Sequence, residues 1–309
     1  MTRPVPHLTT ADVDAMRSTL SNWGRWGDDD QLGTLNHLTD AHRAAAAAEV
    51  RTGRAVSCAR PLPTEPAVDN PRPVEHHMLG THTEGHGADW FGVAAHGYAT
   101  SHLDALCHIF WDGRVYGGRS SEVVTAHGAE QLGVHHVRHG LVGRGVLLDI
   151  PPRHGVEALE PGTPITVDDL EAAEEAAGVR VGTGDLLLVR TGRWAWRREH
   201  GPWDARQRLA GLHASCLPWL HEREVAVLGS DGVSDVHPAH VEPSAGVETR
   251  LPIHTVGIVA MGLHLLDDLD LDDLAAACAE EGRWSFLLTV APLVLVGGTA
   301  SPVNPIAVL

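Results

Sequence analysis

Seven residues, His102-Leu103-Asp104-Ala105-Leu106-Cys107-His108, set two imidazoles and a carboxylate inside an apolar stretch. A fold must either turn the polar side of this segment to water or gather the three groups over one cavity. In an extended strand, side chains alternate between faces, so His102 and Asp104 point the same way. If the chain then turns helical, Asp104 and His108 lie one turn apart on one face. If it stays extended, His108 keeps the parity of His102. Each geometry lets the three converge, and two neutral imidazoles with a carboxylate suit a divalent transition metal. Three protein ligands leave positions open for water and substrate, as catalytic sites do. On spacing alone, a strand with polar residues on its solvent face fits equally well.

Composition removes several function classes. The 309 residues allow one large domain or two small ones. The formal charge of −17, with no basic cluster to offset it, argues against a nucleic-acid partner. All 23 basic residues are arginines, so a Schiff-base lysine or a phosphate-loop lysine is excluded. The four cysteines, Cys58, Cys107, Cys216 and Cys278, are widely spaced without a CxxC pair and read as reduced, buried thiols. Cys107 beside His108 reads as a packed thiol rather than a nucleophile, because adjacent strand residues face opposite ways. Met1-Thr2-Arg3-Pro4 carries no apolar signal core, and no apolar run is long enough to span a bilayer. A cytoplasmic protein with no membrane partner is expected.

Helices are expected over Thr10–Asn22, Asp40–Arg51, Thr166–Ala177, His213–Arg223 and Asp270–Glu280. The first has Thr10 or Asp12 as a possible cap, and the third runs from a Thr166 cap to Gly178. Strands are expected at Gly145–Ile150, Asp185–Arg190 and Val225–Gly229, with Ile253–Met261 as a further apolar segment. Phe286–Val296 reads as a final strand pair with Pro292 at a bend or an edge. Arg60–Val74 is proline-rich and irregular, and His76–Gly97 has the composition of functional loops. Gly182-Thr183-Gly184 precedes a strand and reads as a turn. Helices and strands interleave without a regular βαβ rhythm.

The stretch Tyr98-Ala99-Thr100-Ser101-His102-Leu103-Asp104-Ala105-Leu106-Cys107-His108 resembles the hallmark HxGTHxDxPxH of the cyclase family of metal-dependent hydrolases, which includes kynurenine formamidase and isatin hydrolase. His102, Asp104 and His108 match the hallmark's ligands. Tyr98 stands at its first histidine, Thr100-Ser101 at Gly-Thr and Leu106 at proline. Leu251-Pro252-Ile253-His254, with Leu266-Asp267-Asp268 beyond it, resembles the family's downstream histidine and acidic segment; Asp267 stands where relatives carry glutamate. Trp26–Asn36 and 297–305 resemble a longer subgroup.

The resemblance implies an α/β fold with a mixed, partly barrel-like β-sheet and flanking helices. It spans 1–309 as a single domain, with 1–55 as a helical N-terminal extension. It also implies a homodimer or homotetramer. Zinc or manganese held by His102, Asp104 and His108 would activate water against a cyclic amide, lactone or aryl formamide. His254 matches the family's functional histidine and is the first choice for the proton shuttle, with Asp112 as a second candidate. An Asp-Gly pair such as Asp112-Gly113 is more often simply a turn. His82, His86 and His96 precede the motif and could reach a pocket. Trp90, Phe91, Trp111 and Tyr98 are expected against a cyclic or aromatic small-molecule substrate. His237, in the polar loop Ser230–Pro238, is as readily part of an ordinary turn. Two other readings stay open: a metal-dependent cyclase or lyase acting on a polyketide-like or carbonyl substrate, and a binding protein without catalysis.

Overall fold

In the computed structural model, residues 5–246 and 249–309 are described. Residues 1–4, whose lack of an apolar core was noted above, lie outside them. Nine strands form the main sheet: β1 (Ala55–Ser57), β2 (His102–Asp104), β3 (Leu141–Asp149), β4 (Leu186–Arg190), β5 (Val227–Ser230), β6 (His264–Asp267), β7 (Ser285–Val290), β8 (Ala300–Pro302) and β9 (Ile306–Val308). Their spatial order is β8-β2-β6-β5-β4-β3-β7-β9-β1. The centre, β6-β5-β4-β3, is parallel, and antiparallel strands extend it on both sides. The sheet is mixed and partly barrel-like, as expected from the resemblance.

The central strands are continuous apolar runs because both of their faces are covered; all of β4, Leu186 to Arg190, is buried. Two glycines in β3 make room for that packing. A Cβ on Gly143 would lie 2.3 Å from the Leu186 side chain, and one on Gly145 would lie 2.2 Å from the Phe286 ring. The flanking helices are α1 (Thr10–Thr19), α2 (Asp40–Ala47), α3 (Val167–Ala177), α4 (Arg193–His200), α5 (Leu217–Glu222) and α6 (Asp272–Glu281). Capping boxes open α1, α2 and α3, with Thr9, Thr39 and Thr166 as the caps. The cap of α1 is therefore Thr9, one residue before the expected Thr10. Pro218 sits in the first turn of α5, where its missing N–H costs nothing. No helix among the described residues is long and apolar enough to cross a membrane.

Of two further apolar segments, one has no expected type and the other differs from expectation. Ile253–Met261 belongs to a helical turn at Pro252–His254 that continues as a π-helix over Thr255–Met261. All its residues but Thr255 are buried, and periodicity cannot tell such a segment from a buried strand. Phe286–Val296 is not a strand pair. Only its first half is a strand, Leu293–Val296 is irregular and exposed, and β7 pairs with β9 instead. All four cysteines are free and buried, and burial pushes the Cys107 thiol up to about 12.

The N-terminal segment is pinned to the start of β6 by a close backbone contact. Thr34 N–H donates to the Gly262 carbonyl at 2.9 Å. A Cβ on Gly33 (φ +57°) would sit 2.1 Å from that oxygen, and one on Gly262 (φ +71°) would sit 2.5 Å from the Tyr116 ring. Both positions need glycine for space and for left-handed backbone. Gly262→Ala is expected to lower stability by about 2–4 kcal/mol, read as a lower urea midpoint at unchanged slope.

Candidate metal centre

Strand register assembles the site. His102 of β2 lies opposite Asp267 of β6, and Asp104 lies two residues further along the same strand. The period of two puts His102, Asp104 and Asp267 on one face and Leu103 on the other. The chain then leaves the strand in a turn, with His108 N–H donating to the Ala105 carbonyl at 2.9 Å. That turn brings His108 Nε2 to 3.8 Å from Asp104 Oδ2. The strand and the turn after it set His102 and His108 beside different oxygens of Asp104.

Asp104 is the centre of the cluster. Its side chain is 1% exposed, yet neither carboxylate oxygen accepts a conventional hydrogen bond. Oδ1 faces His96 Nδ1 at 3.0 Å and His102 Nε2 at 3.4 Å. Oδ2 faces His254 Nε2 at 3.5 Å as well as His108. The ligand atoms of His96, His102 and Asp104 lie within 4.8 Å of one another, as do those of Asp104, His108 and His254. A carboxylate buried among imidazole nitrogens costs several kcal/mol unless a cation, a metal or an imidazolium, compensates it. The donor set is two or more imidazoles and a carboxylate, so a divalent transition metal fits.

Outer partners set the orientation of the rings. His102 Nδ1 lies 2.8 Å from the Thr100 carbonyl, to which it donates, leaving Nε2 for the cluster. His254 Nδ1 lies 2.7 Å from Asp235 Oδ2, and Asp235 itself accepts from the backbone N–H groups of Ile253 and His254. His254 Nε2 then points at Asp104 and at Asp267 Oδ2, 3.2 Å away. Ser234 (φ +61°) and Asp268 (φ +56°) take left-handed backbone, which turns the chain sharply beside Asp235 and Asp267. Arg193 is buried and joins the Asp268 carboxylate to the Tyr98 carbonyl.

Burial and charge act against each other in this cluster. Burial lowers the pKa of His102, but the carboxylates of Asp104, Asp267 and Asp268 outweigh it and raise the imidazole to about 10. His254 is likewise disfavoured as a cation by burial, yet Asp267, Asp104 and Asp235 hold it well above the ordinary value. His108 goes the other way: burial pulls it down to about 3 despite Asp104. Burial raises the Asp268 carboxyl to about 7 against the pull of Arg193. Without metal, two imidazoliums supply the positive charge that Asp104 requires.

The cleft over the cluster has a volume of about 140 Å³, with Tyr98, Val233 and Leu251 among its walls. Tyr98 also borders two larger clefts, of about 330 and 1020 Å³. The other aromatics lie elsewhere. Trp90 and Phe91 are exposed on the hairpin of Glu75–Gly80 and Ala88–Gly92, where Trp90 stacks on His77. Trp111 packs against the core beneath the Arg17 guanidinium. Asp112 does not reach the cluster: it is a turn residue at φ +48°, largely exposed and paired with Arg17 at 2.5 Å. That is the simple turn reading of Asp112-Gly113. His82 and His86 are exposed in the hairpin loop, and His237 is buried against the Tyr98 ring. Arg193 carried no signal in the sequence, and Asp235, Asp268 and Thr100 stood there only as members of longer segments without a role of their own. The polar loop after β5 was the one signal for Asp235.

A model of the Cyclase family matches residues 72–235, and these include the whole His102–His108 motif. A solved structure described as a novel cyclase is 30% identical, with 95% of this chain and 99% of that chain covered at a TM-score of 0.85. The chain belongs to the Cyclase family. An isatin hydrolase bound to the product analogue thioisatinate shares the fold at 19% identity and a TM-score of 0.58, covering 85% of this chain and 94% of that one. Isatin hydrolase A from Ralstonia solanacearum does so at 23% identity and a TM-score of 0.54, with 82% and 91% covered. None of the curated proteins matches.

The raised imidazole pKa gives the cluster a pH signature. Protonated His102 stabilises the fold fully below its ordinary value of 6.5, and that contribution is lost as pH rises through about 10. Metal-free protein is expected to lose urea resistance between about pH 7 and 10. Protein saturated with a divalent metal, whose ligands are already deprotonated, is expected to show a much flatter profile.

Proposed function

We propose that this Cyclase-family chain is a metal-dependent hydrolase that opens a cyclic amide or lactone, or cleaves an aryl formamide. The observation that carries the reading is the buried Asp104 carboxylate, with four imidazoles converging on its two oxygens. Asp104, His102 and His108 are the residues that would hold the ion. A divalent metal there, zinc or manganese, supplies a water acidified toward a pKa of about 7 and a Lewis acid for a carbonyl oxygen.

The protein's own groups supply the rest. Asp235 fixes the His254 ring through Nδ1, so that Nε2 is the atom that exchanges protons inside the cleft. An imidazole held between carboxylates accepts a proton readily and can return it to a leaving nitrogen or oxygen. Tyr98, Val233 and Leu251 wall the cleft with apolar and aromatic surface, which favours a flat cyclic substrate over an extended polar one. The small volume beside Asp104 suits the reacting carbonyl, while the adjoining clefts bordered by Tyr98 have room for the remainder of the substrate.

The similar structure described as a novel cyclase favours keeping a second reading, in which the same site enolises a carbonyl neighbour without adding water. Reaction in isotopically labelled water separates the two, since label enters the product carboxylate only if water attacks. Asp104→Ala is expected to lose bound metal and turnover together, by metal analysis and steady-state kinetics. His254→Asn is expected to keep most of the metal and to lose turnover by a factor on the order of 100 or more. Retention of full metal and full rate by Asp104→Ala would end the proposal.

A further inference from the structure

The first histidine of the family hallmark is replaced here by Tyr98, four residues before His102. The structure brings a different imidazole to Asp104. His96, six residues before His102, places Nδ1 3.0 Å from Asp104 Oδ1. Its ring stacks on His108 with centroids 3.7 Å apart and meets His102 edge-on at 5.5 Å. Six residues of extended chain would span about 20 Å, so the segment has folded back on itself. The chain bends continuously through residues 96–100, and Gly97 takes φ +152° with nothing within 4 Å of a Cβ position. Tyr98 is held within that bend: its carbonyl accepts from Arg193, and its ring lies against His237 with centroids 6.1 Å apart.

We propose that His96 takes the ligand place that the hallmark gives to the position of Tyr98, so that His96, His102 and Asp104 form one ligand group, with His108 on the other oxygen of Asp104. This rests on the reading of the cluster as a metal site. The far nitrogen of His96 supports it, since Nε2 lies 3.0 Å from Thr299 Oγ1 just before β8. With Nε2–H donating to that hydroxyl, Nδ1 carries a lone pair directed at the cluster, the same arrangement that Thr100 imposes on His102. The opposite tautomer would make His96 a plain hydrogen-bond donor to Asp104. The two tautomers are chemically distinct alternatives. The loop is two residues longer than the hallmark spacing, and the bend at Gly97 absorbs the difference. Tyr98 is thereby released from ligation to line the cleft.

Cobalt(II) alone is the probe. Wild-type protein, His96→Cys, His96→Ala and Tyr98→Phe are each titrated with Co2+ and followed by visible and near-ultraviolet absorption and by calorimetry. A ligating position 96 gives His96→Cys a thiolate-to-cobalt charge-transfer band that wild-type protein, with its buried Cys107, lacks. His96→Ala is expected to bind Co2+ at least about 100-fold more weakly, whereas Tyr98→Phe binds as wild type does. Wild-type affinity in His96→Ala, or no charge-transfer band in a folded, cobalt-loaded His96→Cys, overturns the assignment while leaving the metal site standing. Failure of wild-type protein to take up Co2+ overturns the metal reading itself, and this inference with it. If His96→Ala does not fold, the band in His96→Cys decides alone.

Discussion

One carboxylate dictates the arrangement around it. Asp104 is buried at the start of a turn, with imidazole nitrogens of His96, His102, His108 and His254 facing its two oxygens. A fold that merely needed stability would replace it with an apolar side chain. Here every neighbouring element is shaped to tolerate it. β2 presents it beside His102, the turn after β2 returns His108, the helical turn at Pro252–His254 lends His254, and the bend at Gly97 delivers His96. The imidazoles are in turn fixed from behind by Thr100, Asp235 and Thr299. The polar core is thus a ring of imidazoles around one carboxylate that could hold a metal ion.

A second buried carboxylate shows the contrast between structural and chemical charge. Asp231 accepts from the Thr191 hydroxyl and from the backbone N–H groups of Thr191, Gly192 and Arg193 at the start of α4. Its hydrogen-bonding capacity is filled, and it anchors the helix that carries Arg193. Arg193 then neutralises Asp268 and ties down the Tyr98 carbonyl. Asp231 and Asp104 are both buried, but one is held by fixed backbone N–H and hydroxyl groups and the other faces only titratable imidazoles. That difference separates scaffold from site.

Much of this was legible in the sequence where the chemistry was local. His102, Asp104 and His108 sit within seven residues, and the strand period alone sets the first two on one face. The Thr166 cap and the Gly178 stop of α3 were equally local. Legibility failed where an interaction was distant or all-round. Asp235 meets His254 across 19 residues, and Arg193 meets Asp268 across 75. The π-helical Thr255–Met261 is apolar on every side and carries no period. The aromatics Trp90 and Phe91 looked like substrate contacts by composition, but a hairpin holds them away from this cleft. Asp112 looked like a catalyst by proximity in sequence and is instead the corner of a turn.

The ligand strand is also the most dependent strand of the sheet. β2 is three residues long, and its partners on either side come from near residue 266 and near residue 301. Neither neighbour exists until the chain has grown far past β2, and both pairings must close loops of well over a hundred residues. The loop-closure entropy places these contacts among the slowest to form. A chain still emerging from the ribosome therefore carries scattered histidines but no preformed cage for an ion. The cluster around Asp104 is therefore complete only after β6 and β8 have docked against β2.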